Sequence, residues 1–394
     1  MKFPSFINDL TLPPIEYHHA LQEWTKAIRA EDSVVYNDEN ETWVVFDYQD
    51  VVRVQSDFAF FSSQKTIKDR GDDAQPSNLI EMDPPQHRQM RALLSQAFSP
   101  RTIAAREPQI QQITNELFDK ALAQGHTDWM ESVANPLPII VIADMLGLPR
   151  ENWKQFKTWT DAIINKSPEM ESASQNATAY FAQTIEAHYK QPQPDILSGL
   201  IAAEVEGQRL SFEDVVAFCF LLFIAGNITT SNMLGNSILS FDEQPGAFQQ
   251  LRTQPELVEN AVEEILRYMP PFRSGPNDLL VGRVATTDVT LGNKHIHKGD
   301  KVEVSRFSAN FDTNTFTNPN QIDITRNPNR HQSFGHGIHF CIGAPLARLE
   351  LKTAFKTLLA RTQSIEIDHD HKIEQVPSRL IFGPKEVIVN ITPA

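Results

Sequence analysis

A mainly α-helical chain with a minor share of β-sheet, organised as one domain over residues 1–394, is predicted by three features of the sequence. From about residue 106 onward, apolar residues recur at three- and four-residue steps, the period of a helix with one buried face. Short β-branched runs broken by glycine turns are confined to the region around residue 43 and to the stretch after residue 270. The polar connector "QPQPD" at 191–195 is followed within a few residues by renewed helical pattern, so it reads as a loop and no domain boundary.

Taken in order, "ETWVVFDYQDVVRVQSD" predicts a strand at Trp43 to Phe46 and then a helix capped by Asp47. Ile110, Ile113, Leu117 and Ala121 mark a helix that stops at Gly125. "VGRVATTDVTLGNKHIHKGDKVEV" reads as strands joined by tight turns at Gly-Asn and Lys-Gly-Asp, and "RLIFGPKEVIVNITPA" as a closing hairpin or strand. The apolar runs "FCFLLFIAG" and "PLPIIVIADMLGLP" fall short of the roughly 20 residues of a membrane span and are assigned to the core. No signal peptide is apparent at the N-terminus, so a cytoplasmic location and no membrane span are expected. A net charge of -15 without a basic tail argues against a nucleic-acid partner. The two cysteines, Cys219 and Cys341, form no repeated spacing and are expected to be reduced.

Cys341 stands out within "HQSFGHGIHFCIGAPLAR" (331–348). Leu351, Phe355, Leu358 and Leu359 follow helical spacing, with Pro345 suited to a first turn, so the cysteine lies just ahead of a helix N-terminus. Unpaired N–H groups and the positive end of the helix dipole there favour a thiolate. Gly335, Gly337 and Gly343 let the backbone turn tightly and approach something flat or bulky. Three readings are open on the residues alone: a buried structural cysteine, a zinc site from His336, His339 and Cys341, and a haem iron held by one thiolate with a histidine meeting a propionate.

"FGHGIHFCIG" closely resembles the Phe-Gly-x-Gly-x-His-x-Cys-x-Gly ligand loop of the cytochrome P-450 superfamily. The resemblance implies a triangular helical prism with a long central helix and small sheets, binding haem b (iron protoporphyrin IX). It makes Cys341 the metal ligand, places Phe334, Gly335 and Gly343 in the loop around it, and gives His339 to a propionate. "MDPPQHRQMRALLSQAFSP" resembles the segment in which His87 and Arg91 reach the propionates, and Arg283 matches another such position. In "NAVEEILRYMP", Glu264 and Arg267 stand at i, i+3, which alone would read as a solvated pair; by resemblance they join Arg326 to brace the ligand-loop side.

"DVVAFCFLLFIAGNITTSNML" resembles the family's central helix, with Ala225, Gly226, Asn227, Thr229 and Thr230 on the oxygen side of the haem. Gly226 is expected to let the helix open, and Thr229 to hold a water or bond dioxygen. The family's usual acid is replaced by Ile228, which can relay no proton. The expectation is a water chain through Thr229 and Asn227, with peroxide use or a non-catalytic haem sensor or carrier as alternatives.

The implied activity is a monooxygenase using O2 and NAD(P)H-derived electrons to hydroxylate or epoxidise a small apolar substrate, a fatty acid, terpenoid, steroid or polyketide. Pocket candidates are the segment between Phe61 and Ile80, the helices around 153–190, Phe223, Phe272, Arg273, Leu380 and Phe382, with Arg273 the basis for a fatty-acid carboxylate. Electrons are expected from a separate ferredoxin or flavodoxin with its reductase, docking near Arg348 and Lys352.

Overall fold

In the computed structural model, which describes residues 2–64, 79–273 and 282–394, the longest element is the central helix Phe212–Glu243. Its start is a reciprocal cap: the Ser211 hydroxyl accepts from the Asp214 amide and the Asp214 carboxylate accepts from the Ser211 amide. At 32 residues the helix runs about 48 Å. It is long and apolar enough to cross a membrane by length and composition alone. Here its C-terminal half, from Thr230 to Phe241, is buried among other helices, and Asn227, Asn232, Asn236 and Ser240 are also buried along it.

Helices Pro136–Met145, Trp153–Ile164 and Met170–Lys190 pack on the central helix, and Ala344–Arg361 crosses both it and Glu107–Gln124. Pro136–Met145 is apolar on all sides and almost wholly buried, as expected for "PLPIIVIADM". The principal hydrophobic cluster takes residues from Tyr17 through to Ile391. A five-stranded sheet orders Val34–Asn37, Thr42–Val45, Lys301–Val304, Arg283–Ala285 and Phe61–Ser62, with Lys301–Val304 parallel to Thr42–Val45 and the other pairings antiparallel. A three-stranded sheet joins Thr362–Ile367, Ile388–Pro393 and His126–Asp128.

The predicted elements recur with small shifts. The strand at Thr42–Val45 is followed by helix Tyr48–Ser56, whose first turn is held by the Asp47 carboxylate accepting from the Asp50 amide. Helix Glu107–Gln124 ends at Gly125, which has φ +70°. The C-terminal stretch forms the strand Ile388–Pro393, and its partner Thr362–Ile367 lies at the end of the helix after Cys341, where no strand was predicted.

Glu264 and Arg267, on helix Val258–Tyr268, are both fully buried, which excludes the solvated-pair reading. The two carboxylate oxygens of Glu264 accept from Arg267 Nε (2.9 Å) and Nη2 (2.8 Å), Arg326 Nε (3.0 Å), Asn329 Nδ2 (2.9 Å) and the Asp323 amide (2.9 Å). Arg267 also donates to the carbonyls of Asn310 (3.1 Å), Pro319 (2.8 Å) and Gln321 (3.1 Å). One buried carboxylate thus fixes the irregular segment 310–329 that leads into the cysteine loop. Removing it leaves two guanidinium groups, one wholly buried and one nearly so, without their anion. Glu264→Ala is expected to lose about 3–5 kcal/mol in denaturant unfolding, with Glu264→Gln in between; equal stability of wild type and Glu264→Ala would contradict this role.

Candidate active site

The cysteine loop is shaped by two left-handed glycines, Gly335 (φ +73°) and Gly337 (φ +69°). Gly337 serves a neighbouring helix: a Cβ there would stand 2.7 Å from the Gln55 carbonyl oxygen and 2.8 Å from Ser56 Cα. The Phe334 carbonyl accepts from the Cys341 amide at 2.9 Å, and the Phe334 ring lies 4.5 Å beneath the Arg348 guanidinium. Gly343 has an ordinary φ of -82°, and a Cβ there would stand 3.9 Å from Cys341 Sγ, an ordinary contact.

Burial pushes the Cys341 thiol up, opposed by the Gly343 and Ala344 amides and by the charges of Arg91 and Arg306. The expected thiolate is therefore disfavoured in the cofactor-free chain, because desolvation outweighs the helix end. A cation bound to the sulfur would reverse that balance. Cys219, the other free thiol, is buried in the helical core and pushed up to about 12 by desolvation, as a structural cysteine should be.

Helix Gln86–Ala97 brings His87 and Arg91 one turn apart beside this loop. The His87 and His339 rings meet edge to face with centroids 4.5 Å apart. His339 is pushed down to about 3 by burial and by the charges of Arg283, His87 and Arg91; its Nε2 lies 2.8 Å from the Ser63 hydroxyl. His87 is 3% exposed, and its Nε2 is buried without a partner. Burial and the charges of Arg91 and Arg283 lower the His87 pKa, while Asp83 opposes them. Arg283, 5% exposed on its strand, donates to the Gly282 carbonyl at 3.1 Å. The structure therefore brings all four predicted propionate partners together. Four basic groups in one desolvated place, with an orphaned imidazole nitrogen among them, fit a group carrying two carboxylates next to the thiol. The zinc alternative fails on position: His336 is exposed, whereas the His339 ring faces Ser63 and His87. Sequence reasoning missed Arg306 and Ser63; neither belongs to a recognisable motif, and only the fold brings them to the loop.

On the central helix, Ala225 is exposed although it lies midway along a core element, which marks an open space at that turn. Thr229 Oγ1 donates to the Ala225 carbonyl at 2.8 Å, leaving its lone pairs to accept from a guest. Asn227 is 1% exposed with both amide atoms unpartnered, while Ile228 is half-buried and Thr230 is buried. The expected opening at Gly226 is not seen: the helix is continuous, and the glycine instead admits helix Pro136–Met145, since a Cβ would stand 2.9 Å from Ile142 Cδ1.

Several pocket assignments are corrected by the packing. Arg273 is 3% exposed and donates to the Ile7 carbonyl (3.1 Å) and to Gln375, with the Tyr17 ring 4.3 Å away. It anchors the N-terminal segment and presents no charge for a substrate carboxylate. Phe223 packs between Phe156 and Phe181, and Phe382 against Tyr17, so both are core. Phe272 lies 4.8 Å under Arg306, and Leu380 is half-buried. Most of the 61–80 segment, and residues 274–276 that follow Phe272 and Arg273 in "PPFRSGP" (270–276), lie outside the described residues. Arg348 and Lys352 also differ from expectation: Arg348 pairs with Glu263 (2.6 Å) and Lys352 with Glu259 (3.6 Å) and Glu107 (3.7 Å).

A family model described as "Cytochrome P450" matches residues 133–391. The chain belongs to the cytochrome P-450 family. It is similar to the cytochrome P-450 109 of Bacillus spizizenii (37% identical, 93% of this chain and 90% of that one). It is also similar to the erythromycin C-12 hydroxylase of Saccharopolyspora erythraea (33% identical, 96% of each). Among solved structures, CYP109E1 from Bacillus megaterium in complex with testosterone superposes with a TM-score of 0.84 at 36% identity, covering 93% of this chain and 98% of that one. Cytochromes P-450 carry haem and use O2 with electrons from a reductant, and this chain is a P-450 monooxygenase.

Glu263, beside the brace, gives a pH prediction. Burial opposes its charge, but hydrogen bonds from Arg348 and His331 more than offset that and hold the carboxyl down to about 2, against 4.5 when unfolded. A depressed carboxyl stabilises the fold fully above pH 4.5 and loses that contribution as pH falls towards 2. Glu263→Gln is therefore expected to be about 1–2 kcal/mol less stable at pH 7, since the site is partly solvated. The gap should narrow below pH 4.5 and close near pH 2; a gap independent of pH would contradict it.

Proposed function

We propose that this P-450 inserts one oxygen atom from O2 into an apolar small molecule, by hydroxylation or epoxidation, with haem b held by Cys341. The observation that carries the reading is the convergence of His87, Arg91, Arg283 and His339 beside the cysteine loop, with the His87 nitrogen orphaned. These four would hold the propionates, Phe334 and Gly335 would shape the loop, and Gly343 would direct its amide at the sulfur. When bound, a thiolate-ligated haem supplies an oxidant able to attack unactivated C–H bonds.

The remaining chemistry belongs to the chain. Ala225 leaves open space on the helix surface where a guest would lie, and Gly226 backs that turn by admitting Ile142 of helix Pro136–Met145. The Thr229 hydroxyl, which donates to the Ala225 carbonyl, keeps lone pairs free to accept from a water there. Asn227 and Thr230 flank that position, and proton supply runs through water because Ile228 offers no acid. With Arg273 committed to the N-terminal segment, the fatty-acid reading loses its support. A steroid, terpenoid or polyketide is preferred, as the similar CYP109E1 has been captured with testosterone. NAD(P)H-derived electrons would arrive through a ferredoxin or flavodoxin and its reductase. One P-450 domain accounts for residues 1–394, and a cytoplasmic location suits such partners. Ile228 is what would favour a peroxide-dependent enzyme or a haem sensor, but the similar proteins named above do not support that reading.

The test is product formation with a steroid panel under labelled O2, using a surrogate ferredoxin and reductase. Label in the product supports the monooxygenase; product formed only on adding unlabelled peroxide and carrying no label, or no turnover on any compound, would overturn it. Ile228→Glu is expected to raise the ratio of product formed to NAD(P)H consumed by a few-fold, since an added proton donor acts in the range of general acid catalysis. An unchanged ratio would show that water already delivers protons without limitation.

A further inference from the structure

Outside the haem region, the hairpin of strands Val289–Leu291 and Lys294–Ile296 carries an unusual set of donors. Its register pairs Val289 with Ile296, Thr290 with His295 and Leu291 with Lys294. Val289, Leu291 and Ile296 are buried in a cluster with Val34 and Val45, so one face of the hairpin is anchored. Strand alternation then sends His295 and His297 to the opposite, exposed face, two residues apart. Asp288, just ahead of the first strand, reaches the same place, and its Oδ1 is held by the Lys298 amide at 2.9 Å.

We propose that Asp288, His295 and His297 form a surface site for a divalent first-row transition-metal ion, with zinc as the reference case. Asp288 Oδ2 lies 3.7 Å from His295 Nε2, and its Oδ1 lies 3.8 Å from His297 Nδ1. One donor atom from each of the three residues falls within 4.8 Å of the other two. Ligands at 2.0–2.1 Å around a tetrahedral zinc are separated by about 3.3 Å. Small side-chain rotations on an anchored hairpin therefore suffice to close the set. Two imidazoles and one carboxylate suit zinc, nickel or copper, whereas calcium and magnesium select oxygen donors. Since all three residues are exposed, solvent supplies the remaining position.

Surface Asp–His pairs also arise with no metal role, and the experiment separates the two. Tag-free, chelator-treated holoenzyme is titrated with ZnCl2 by calorimetry, and bound zinc is counted after dialysis. The expected result is one equivalent taken up at micromolar free zinc. Asp288→Asn should weaken binding about ten-fold or more, and His295→Ala with His297→Ala should abolish it. His126→Ala with His371→Ala, which alters another exposed histidine pair beside Asp368, should leave it unchanged. No uptake by the wild type, full uptake by the His295/His297 variant, unweakened binding by Asp288→Asn, or loss in the His126/His371 control would each overturn the proposal. All of these readouts are independent of turnover and of how the haem is held.

Discussion

Positive charge gathered in a desolvated place is the constraint on which the site depends. The charges of Arg91 and Arg283 act on His87 and His339 at short range, and His87, His339 and Arg91 are each disfavoured in the charged form, first of all by burial. Folding assembles them at an electrostatic cost, relieved at His339 by loss of its proton and further offset by any anion that enters beside the two guanidinium groups. The same ground makes the cysteine an unwilling thiolate on its own. A haem with two propionates and a cationic iron would resolve both mismatches together, its carboxylates held by the basic groups and its metal by the sulfur.

That arrangement requires a rigid frame, because the basic groups arrive from a helix, a strand and the cysteine loop, which are distant in sequence. Glu264 supplies much of the frame on the loop side, tying Arg267, Arg326, Asn329 and the Asp323 amide to one carboxylate. The Gly337 contact with Gln55 and Ser56 locks the loop to helix Tyr48–Ser56 from the other direction. Bracing of this kind is indifferent to substrate. The pocket is free to differ from one P-450 to another while the thiolate end stays fixed.

Much of this was legible in the sequence where local chemistry dictates local structure. Asp47 opened its helix through its carboxylate and Gly125 closed its own through a left-handed backbone, and the glycine and cysteine pattern located the loop. The Glu264–Arg267 pair shows the limit: spacing places both on one helix face, but only tertiary packing decides whether that face meets water or core. Gly226 was read as a weak point in a helix, yet the neighbouring Ile142 explains it as a close approach. Arg273, Phe223 and Phe382 were misplaced for a related reason, since a residue near a pocket in sequence can point to either side of its backbone. Arg306 and Ser63 carried no local signal, and their proximity to Cys341 and His339 comes from long-range topology.

The most direct measurement is the absorption spectrum of the dithionite-reduced protein under carbon monoxide, taken alongside Cys341→His. The account predicts the red-shifted Soret band of a thiolate-ligated carbonmonoxy haem in the wild type and its replacement by the nitrogen-ligated band in the variant. A wild-type spectrum already of the nitrogen-ligated kind, or a protein that takes up no haem, would contradict it.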